Sequence, residues 1–115
     1  MKHDFGDGQG PVTATTHPYG GGVVAATAQV EKTVFVDKKA VVFGNAWVFG
    51  DAWVSGNARV SGNALVFGNA LVSGNAWVFG DARVSGDAHV FGNAWVSGNA
   101  WVSGNAWVFE DEVKK

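Results

Sequence analysis

The chain has no cysteine, and only two prolines, one methionine and one tyrosine in 115 residues. The lack of cysteine excludes a disulfide scaffold, a thiolate nucleophile and a Cys-ligated zinc site. Charge of either sign is scarce: eight Lys and Arg stand against ten Asp and Glu, a formal net charge of -2. No basic run exceeds a Lys pair, which argues against an electrostatic footprint for nucleic acid. No stretch of about 18 consecutive apolar residues occurs, and residues 1–11 carry no apolar leader segment, so the sequence predicts neither a membrane span nor secretion. The expectation is a cytoplasmic or particle-associated product of one domain.

What the chain does have is a repeat. Glycine recurs every six residues from Gly44 to Gly104, each followed by Asn or Asp and then Ala. The unit is Val-(Phe/Ser)-Gly-(Asn/Asp)-Ala-x, as in Val54-Ser55-Gly56-Asn57-Ala58-Arg59 and Val78-Phe79-Gly80-Asp81-Ala82-Arg83. Valine keeps the same spacing further upstream, giving fifteen valines from Val24 to Val108, with Ala28 and Ala40 in the alanine slot. Residues 23–109 therefore form one solenoid. Residues 1–22, rich in glycine and ending in Gly20-Gly21-Gly22, share none of the pattern and read as a flexible or capping arm,. Residues 110–115 form a charged tail.

Six residues make one strand and one corner. Within Ala-x-Val-(Phe/Ser), small or branched apolar residues alternate with variable ones, the period-two signature of a short strand with Ala and Val on one face. Gly takes positive φ without steric cost, and Asn or Asp tolerates that region better than other side-chained residues, so each pair supplies a bend. Three such sides close a triangle of 18 residues, and the next coil stacks on it at about 4.8 Å. About five coils fit between residues 24 and 109. A helix is excluded, since each glycine would cost about 1 kcal/mol and the valines would wander around its circumference.

The unit, for example Val-Ser-Gly-Asn-Ala-Trp at Val96–Trp101, resembles the hexapeptide-repeat proteins, and most closely the uninterrupted Gly-Asn-Ala type of bacterial and phage genomes. That resemblance implies an all-β fold, a left-handed parallel β-helix; the hand comes from the family. Acyltransferases of this fold use a catalytic His and inserted loops, and the related carbonic anhydrases hold a metal with several His from neighbouring coils. This chain has neither feature: its one solenoid histidine is His89, and no loop interrupts residues 40–109.

Steps of 18 predict which side chains stack. The outward columns are Val41, Arg59, Trp77, Trp95 on one side, Trp47, Leu65, Arg83, Trp101 on the second, and Phe35, Trp53, Leu71, His89, Trp107 on the third. The second outward slot holds Phe43, Ser61, Phe79, Ser97 on the first side, Phe49, Phe67, Ser85, Ser103 on the second, and Ser55, Ser73, Phe91, Phe109 on the third. All six tryptophans and six phenylalanines thus face outward, forming an expected interaction surface of Trp47, Trp53, Trp77, Trp95, Trp101, Trp107, Phe43, Phe49, Phe67, Phe79, Phe91 and Phe109. A soluble monomer seldom exposes so much contiguous apolar area, so the sequence predicts lateral packing into a homo-oligomer or fibre. Flat rings alternating with Ser and Arg also suit a carbohydrate, and the same faces suit a protein partner. Flat ranks of Thr or Ser, as ice binding requires, are interrupted by Trp and Phe on every side.

The corners stack as Asn45, Asn63, Asp81, Asn99; Asp51, Asn69, Asp87, Asn105; and Asn57, Asn75, Asn93. No Asp lies above another Asp. Amides can bond along such a stack, whereas calcium would need clustered carboxylates. His89 lacks a Ser, Cys or second His in a dyad, and His3, Asp4, Asp7 and His17 have no ligand spacing. The sequence predicts no enzyme, no cofactor and no metal, but a structural or assembly protein, with a binding module as the alternative.

Overall fold

The computed structural model describes residues 1–6, 8 and 10–109 and the backbone of 112–114; Asp7 and the side chains of the charged tail lie outside the described residues. The described chain is all strand, turn and bend, with no helix. Its solenoid is a three-sided parallel β-solenoid of about five coils, every pairing between successive coils joining residue i to residue i+18 from Val23–Ala25 to Trp107–Val108, as in Leu65↔Arg83 and Val66↔Val84. Two sheets hold five strands each, running from Gln29–Val30 to Trp101–Val102 and from Phe35–Val36 to Trp107–Val108. The remaining sheet runs from Val23–Ala25 to Trp95–Ser97 and is then continued by Glu112–Lys114, which pairs one residue out of step, Val96 opposite Val113.

Parity does what the hexad dictates. Val36 to Val96 and Ala40 to Ala100 are shut off from solvent along the axis. Val34 occupies the alanine slot of the first coil and is equally buried. In the Gly-Asn and Gly-Asp corners the positive-φ bend belongs to glycine, whereas the first coil turns at Ala26-Thr27, Lys32-Thr33 and Lys38-Lys39 without it. Every corner glycine has φ between +62° and +72°, and among the described residues no other residue type takes positive φ. Asn and Asp, which the sequence credits with a share of the bend, hold ordinary backbone conformations. A positive φ at the first central residue marks a type II′ turn, and Ala58 N–H closes one on Ser55 O at 3.3 Å. Stacked corners then bond directly, Asn45 N–H to Gly62 O at 2.8 Å and Asn63 N–H to Gly80 O at 2.8 Å.

The first coil has no Gly-Asn corners and substitutes side chains. Hydroxyls of Thr27 and Thr33 donate to Gly44 O and Gly50 O, the carbonyls that later coils satisfy with an Asn N–H. Glu31 Oε1 accepts from Gly50 N–H at 2.8 Å, and Asp37 Oδ2 from Gly56 N–H at 3.3 Å.

The arm folds back as an antiparallel hairpin, β1 (Lys2–Asp4) on β2 (Pro11–Thr16), and β2 lies antiparallel on β3 (Val23–Ala25). Tyr19 O then accepts from Val36 N–H at 3.0 Å, and Gly22 N–H donates to Val36 O at 2.8 Å. Two of the three strand edges of the first coil are so occupied by the chain's own arm. His17 is buried, and its Nε2–H donates to Val34 O at 2.7 Å, fixing the crossing between arm and coil. A Cβ at Gly20 would fall 2.3 Å from Val36 O, so only glycine passes there.

The corners give a graded prediction. A Cβ on Gly62 (φ +65°) would stand 2.9 Å from Gly80 N, whereas one on Gly104 (φ +63°) meets nothing within 4 Å. Gly104→Ala carries only the left-handed penalty of about 1–2 kcal/mol, and Gly62→Ala must also force two coils apart. Chemical denaturation is expected to show Gly62→Ala losing at least twice as much stability as Gly104→Ala; equal losses would count against corner contact as the limiting dimension.

Candidate interaction faces

Because each coil repeats the last at 18 residues, outward side chains fall into columns whose successive members are about 4.8 Å apart, close enough for rings to touch. On the first sheet Trp77 lies edge-on to Trp95 at 5.6 Å and packs on Phe79 at 5.0 Å. Trp77 Nε1–H donates to Ser61 Oγ at 3.0 Å, and Arg59 stands over its ring, 5.5 Å from the centroid. The second face holds Trp47 against Phe49, then Phe49 stacked on Phe67 at 4.9 Å and 2°. At its far end Arg83 stands 5.3 Å from the centre of the Trp101 ring. On the third face Phe35 packs on Trp53 at 4.7 Å, and Phe91, Phe109, His89 and Trp107 gather at the opposite end. Leu65 and Leu71 separate the aromatic groups in the middle coils of the second and third faces.

The expected surface is therefore divided into clusters on three faces. Trp101 and Trp107 are the most exposed tryptophans, at 57% and 67%. Trp47, Trp53, Trp95 and Phe109 are also exposed, while Trp77, Phe49, Phe67, Phe79 and Phe91 are half-buried by their neighbours. Phe43 is a correction. It leaves the prism axis as its slot requires, but Phe5 of the arm stacks on it at 4.8 Å and 12°, and both rings are buried with Ala14 and Ala25. It belongs to a second small core between arm and solenoid. Three serines of the outward slot, Ser61, Ser85 and Ser97, are buried as well.

Tyr19 was not marked by the repeat. It is exposed, lies edge-on to Phe35 at 5.1 Å and reaches Trp53 at 6.5 Å, extending the third-face cluster into the arm. Its position depends on the arm's path, which no period encodes. His89 rests on Trp107 at 5.5 Å. Among the described residues, no three His, Cys, Asp or Glu side chains gather as a metal ion would require, and no helix is long and apolar enough to cross a membrane.

The corner columns bond side chain to side chain. Asn57 Nδ2–H donates to Asn75 Oδ1 and Asn75 to Asn93, each at 3.3 Å, while Asn63 donates to Asp81 at 3.3 Å and Asn69 to Asp87 at 3.2 Å. The direction is constant, from one coil to the next toward the C-terminus.

Residues 52–66, 58–74 and 82–98 match the family model of the YdcK beta-solenoid repeat. No curated protein and no solved structure matches the chain.

Trp77 and Trp107 occupy equivalent slots with different surroundings. Trp77→Ala removes a ring with an indole hydrogen bond, a guanidinium partner and two aromatic contacts, and is expected to cost about 3 kcal/mol. Trp107→Ala removes a ring that is mostly in solvent and is expected to cost under about 1 kcal/mol. Urea denaturation of the two variants distinguishes them; equal costs would mean that exposed rings hold the solenoid together as much as half-buried ones do.

Proposed function

We propose that this β-solenoid is a non-enzymatic structural or assembly component, a rigid rod of the left-handed hexapeptide Gly-Asn-Ala type that associates side by side through its aromatic faces. The supporting observation is the set of exposed indoles on a scaffold with no slack. Trp95, Trp101 and Trp107 stand one on each side of the last coil, held by its strands; the inward neighbours Val96 and Val102 are buried, and Val108 is half-buried at the open end. Side chains fixed in this way lose little further freedom on association, which lowers the entropic cost of an interface. Tryptophan is also the residue type most concentrated at interface hot spots.

Scale supports the same reading. A standard interface takes about 800 Å² from each partner, roughly an eighth of the 6011 Å² surface of this chain. The chain, arm included, extends 36 × 28 × 19 Å, so its broad sides are of that scale. Side-by-side packing also leaves the sheet edges out of the contact, so it needs no opening of the arm.

Sedimentation equilibrium is the test. The expected mass is a multiple of 12.0 kDa at micromolar concentration, and the double variant Trp101→Lys with Trp107→Lys is expected to return it to that of a single chain. A wild-type chain that stays monomeric up to high micromolar concentration overturns the proposal.

A further inference from the structure

The directional ladders point to a ligand. Asn63 hands a proton donor to Asp81, but a carboxylate has none to pass on, so the relay that runs through Asn57, Asn75 and Asn93 stops at Asp81 in its own column. The other Asp81 oxygen and the Asn99 amide oxygen one coil further on receive nothing from the ladder. Both residues are exposed. Beside this corner runs the column Leu65, Arg83, Trp101, and between the two columns lies an open groove of about 580 Å³. One wall thus offers acceptors at coil spacing, and the other offers a guanidinium 5.3 Å from an exposed indole ring.

We propose that this groove binds a neutral oligosaccharide. The C–H face of a pyranose ring is apolar and flat enough to lie on the part of the Trp101 indole that Arg83, standing over one face, leaves exposed,. Its hydroxyls donate to Asp81 and Asn99 and accept from Arg83, replacing water at each exposed group with a complementary partner,. Other ligand classes fit less well. A nucleotide would bring phosphates to a single guanidinium with a carboxylate close by, and like charges oppose it. An apolar peptide would leave the Asp81 carboxylate desolvated and without a donor. The site needs no second copy of the chain; because it shares Trp101 with the proposed assembly face, bound sugar is expected to compete with side-by-side packing.

The test is titration with cellohexaose, mannohexaose and chitohexaose, each to about 10 mM, the range in which a shallow site binds. It is followed by heteronuclear NMR of the indole N–H groups. At least one sugar is expected to shift the Trp101 indole signal saturably, with the Trp47 and Trp53 signals unmoved. Asp81→Asn lets the ladder run on to Asn99 and occupies the acceptors; it is expected to weaken binding about tenfold, the effect of one hydrogen-bonding group, with thermal stability retained. Trp101→Ala is expected to abolish binding. A Trp101 signal that none of the three sugars moves, or affinity unchanged in Asp81→Asn, overturns the proposal. Sedimentation of the same samples reads assembly separately, so either proposal can fail while the other survives.

Discussion

The closeness of one corner to the next governs this molecule. Coils can stack at strand spacing only if the chain turns three times per coil without placing an atom between one turn and the next. At Gly44, Gly56, Gly62 and Gly74 a Cβ would stand 2.8–3.0 Å from backbone atoms of the glycine one coil further on, inside normal contact distance. Glycine therefore serves twice at the corners from Gly44 onward, supplying the positive φ and vacating the space into which the neighbouring corner fits,. With that spacing set, the strand ladders, the buried Val and Ala files and the corner bonds between Asn N–H and Gly O all follow from one translation.

The same translation decides the chemistry of the outside. Each outward residue meets the residue 18 positions away, so the exterior is a set of short columns whose order is the sequence read in steps. Arginine placed one coil before tryptophan yields the Arg59–Trp77 and Arg83–Trp101 contacts. Phenylalanine before phenylalanine yields the parallel Phe49–Phe67 stack. Serine before phenylalanine leaves room beneath the larger ring, and Ser61 fills its part of that room by accepting the Trp77 indole proton. An invariant interior thus supports a variable exterior without strain, because the two sets of positions never exchange faces.

Periodicity explains what was legible in the sequence and what was not. The valine file, the triangular coil, the outward tryptophans and the asparagine columns are all consequences of a spacing, and a spacing can be read without coordinates. The burial of Phe43 is not. It depends on Phe5, in a segment whose path over the solenoid is set by antiparallel pairing of Pro11–Thr16 with Val23–Ala25 and by the glycines that let residues 20–22 run against Val36. The position of Tyr19 beside Phe35 has the same origin. Within the repeat, the division of labour at the corner was also hidden. Gly and Asn both tolerate unusual backbone, and only the structure shows that glycine alone uses that freedom while asparagine spends its side chain on the ladder.

That division gives meaning to where aspartate stands. Asn and Asp are nearly the same size and either could follow a corner glycine, but in a column with one direction of donation they are not equivalent. Asparagine can accept from the coil behind and donate to the coil ahead, as Asn75 does; aspartate only accepts. Asp81 and Asp87 each sit one coil after an asparagine, where acceptance is all that is asked of them. Asp51 stands at the start of its column, 18 residues from Thr33, whose hydroxyl is committed to Gly50 O. The aspartates therefore leave the backbone stacking untouched and change only what the corner shows to solvent: a carboxylate at the end of an amide run, set beside Arg83 and Trp101 in one column and beside His89 and Trp107 in the next. A solenoid whose scaffold is fixed by Gly, Ala and Val can acquire local polarity in this way, one substitution at a time, without cost to the fold that carries it.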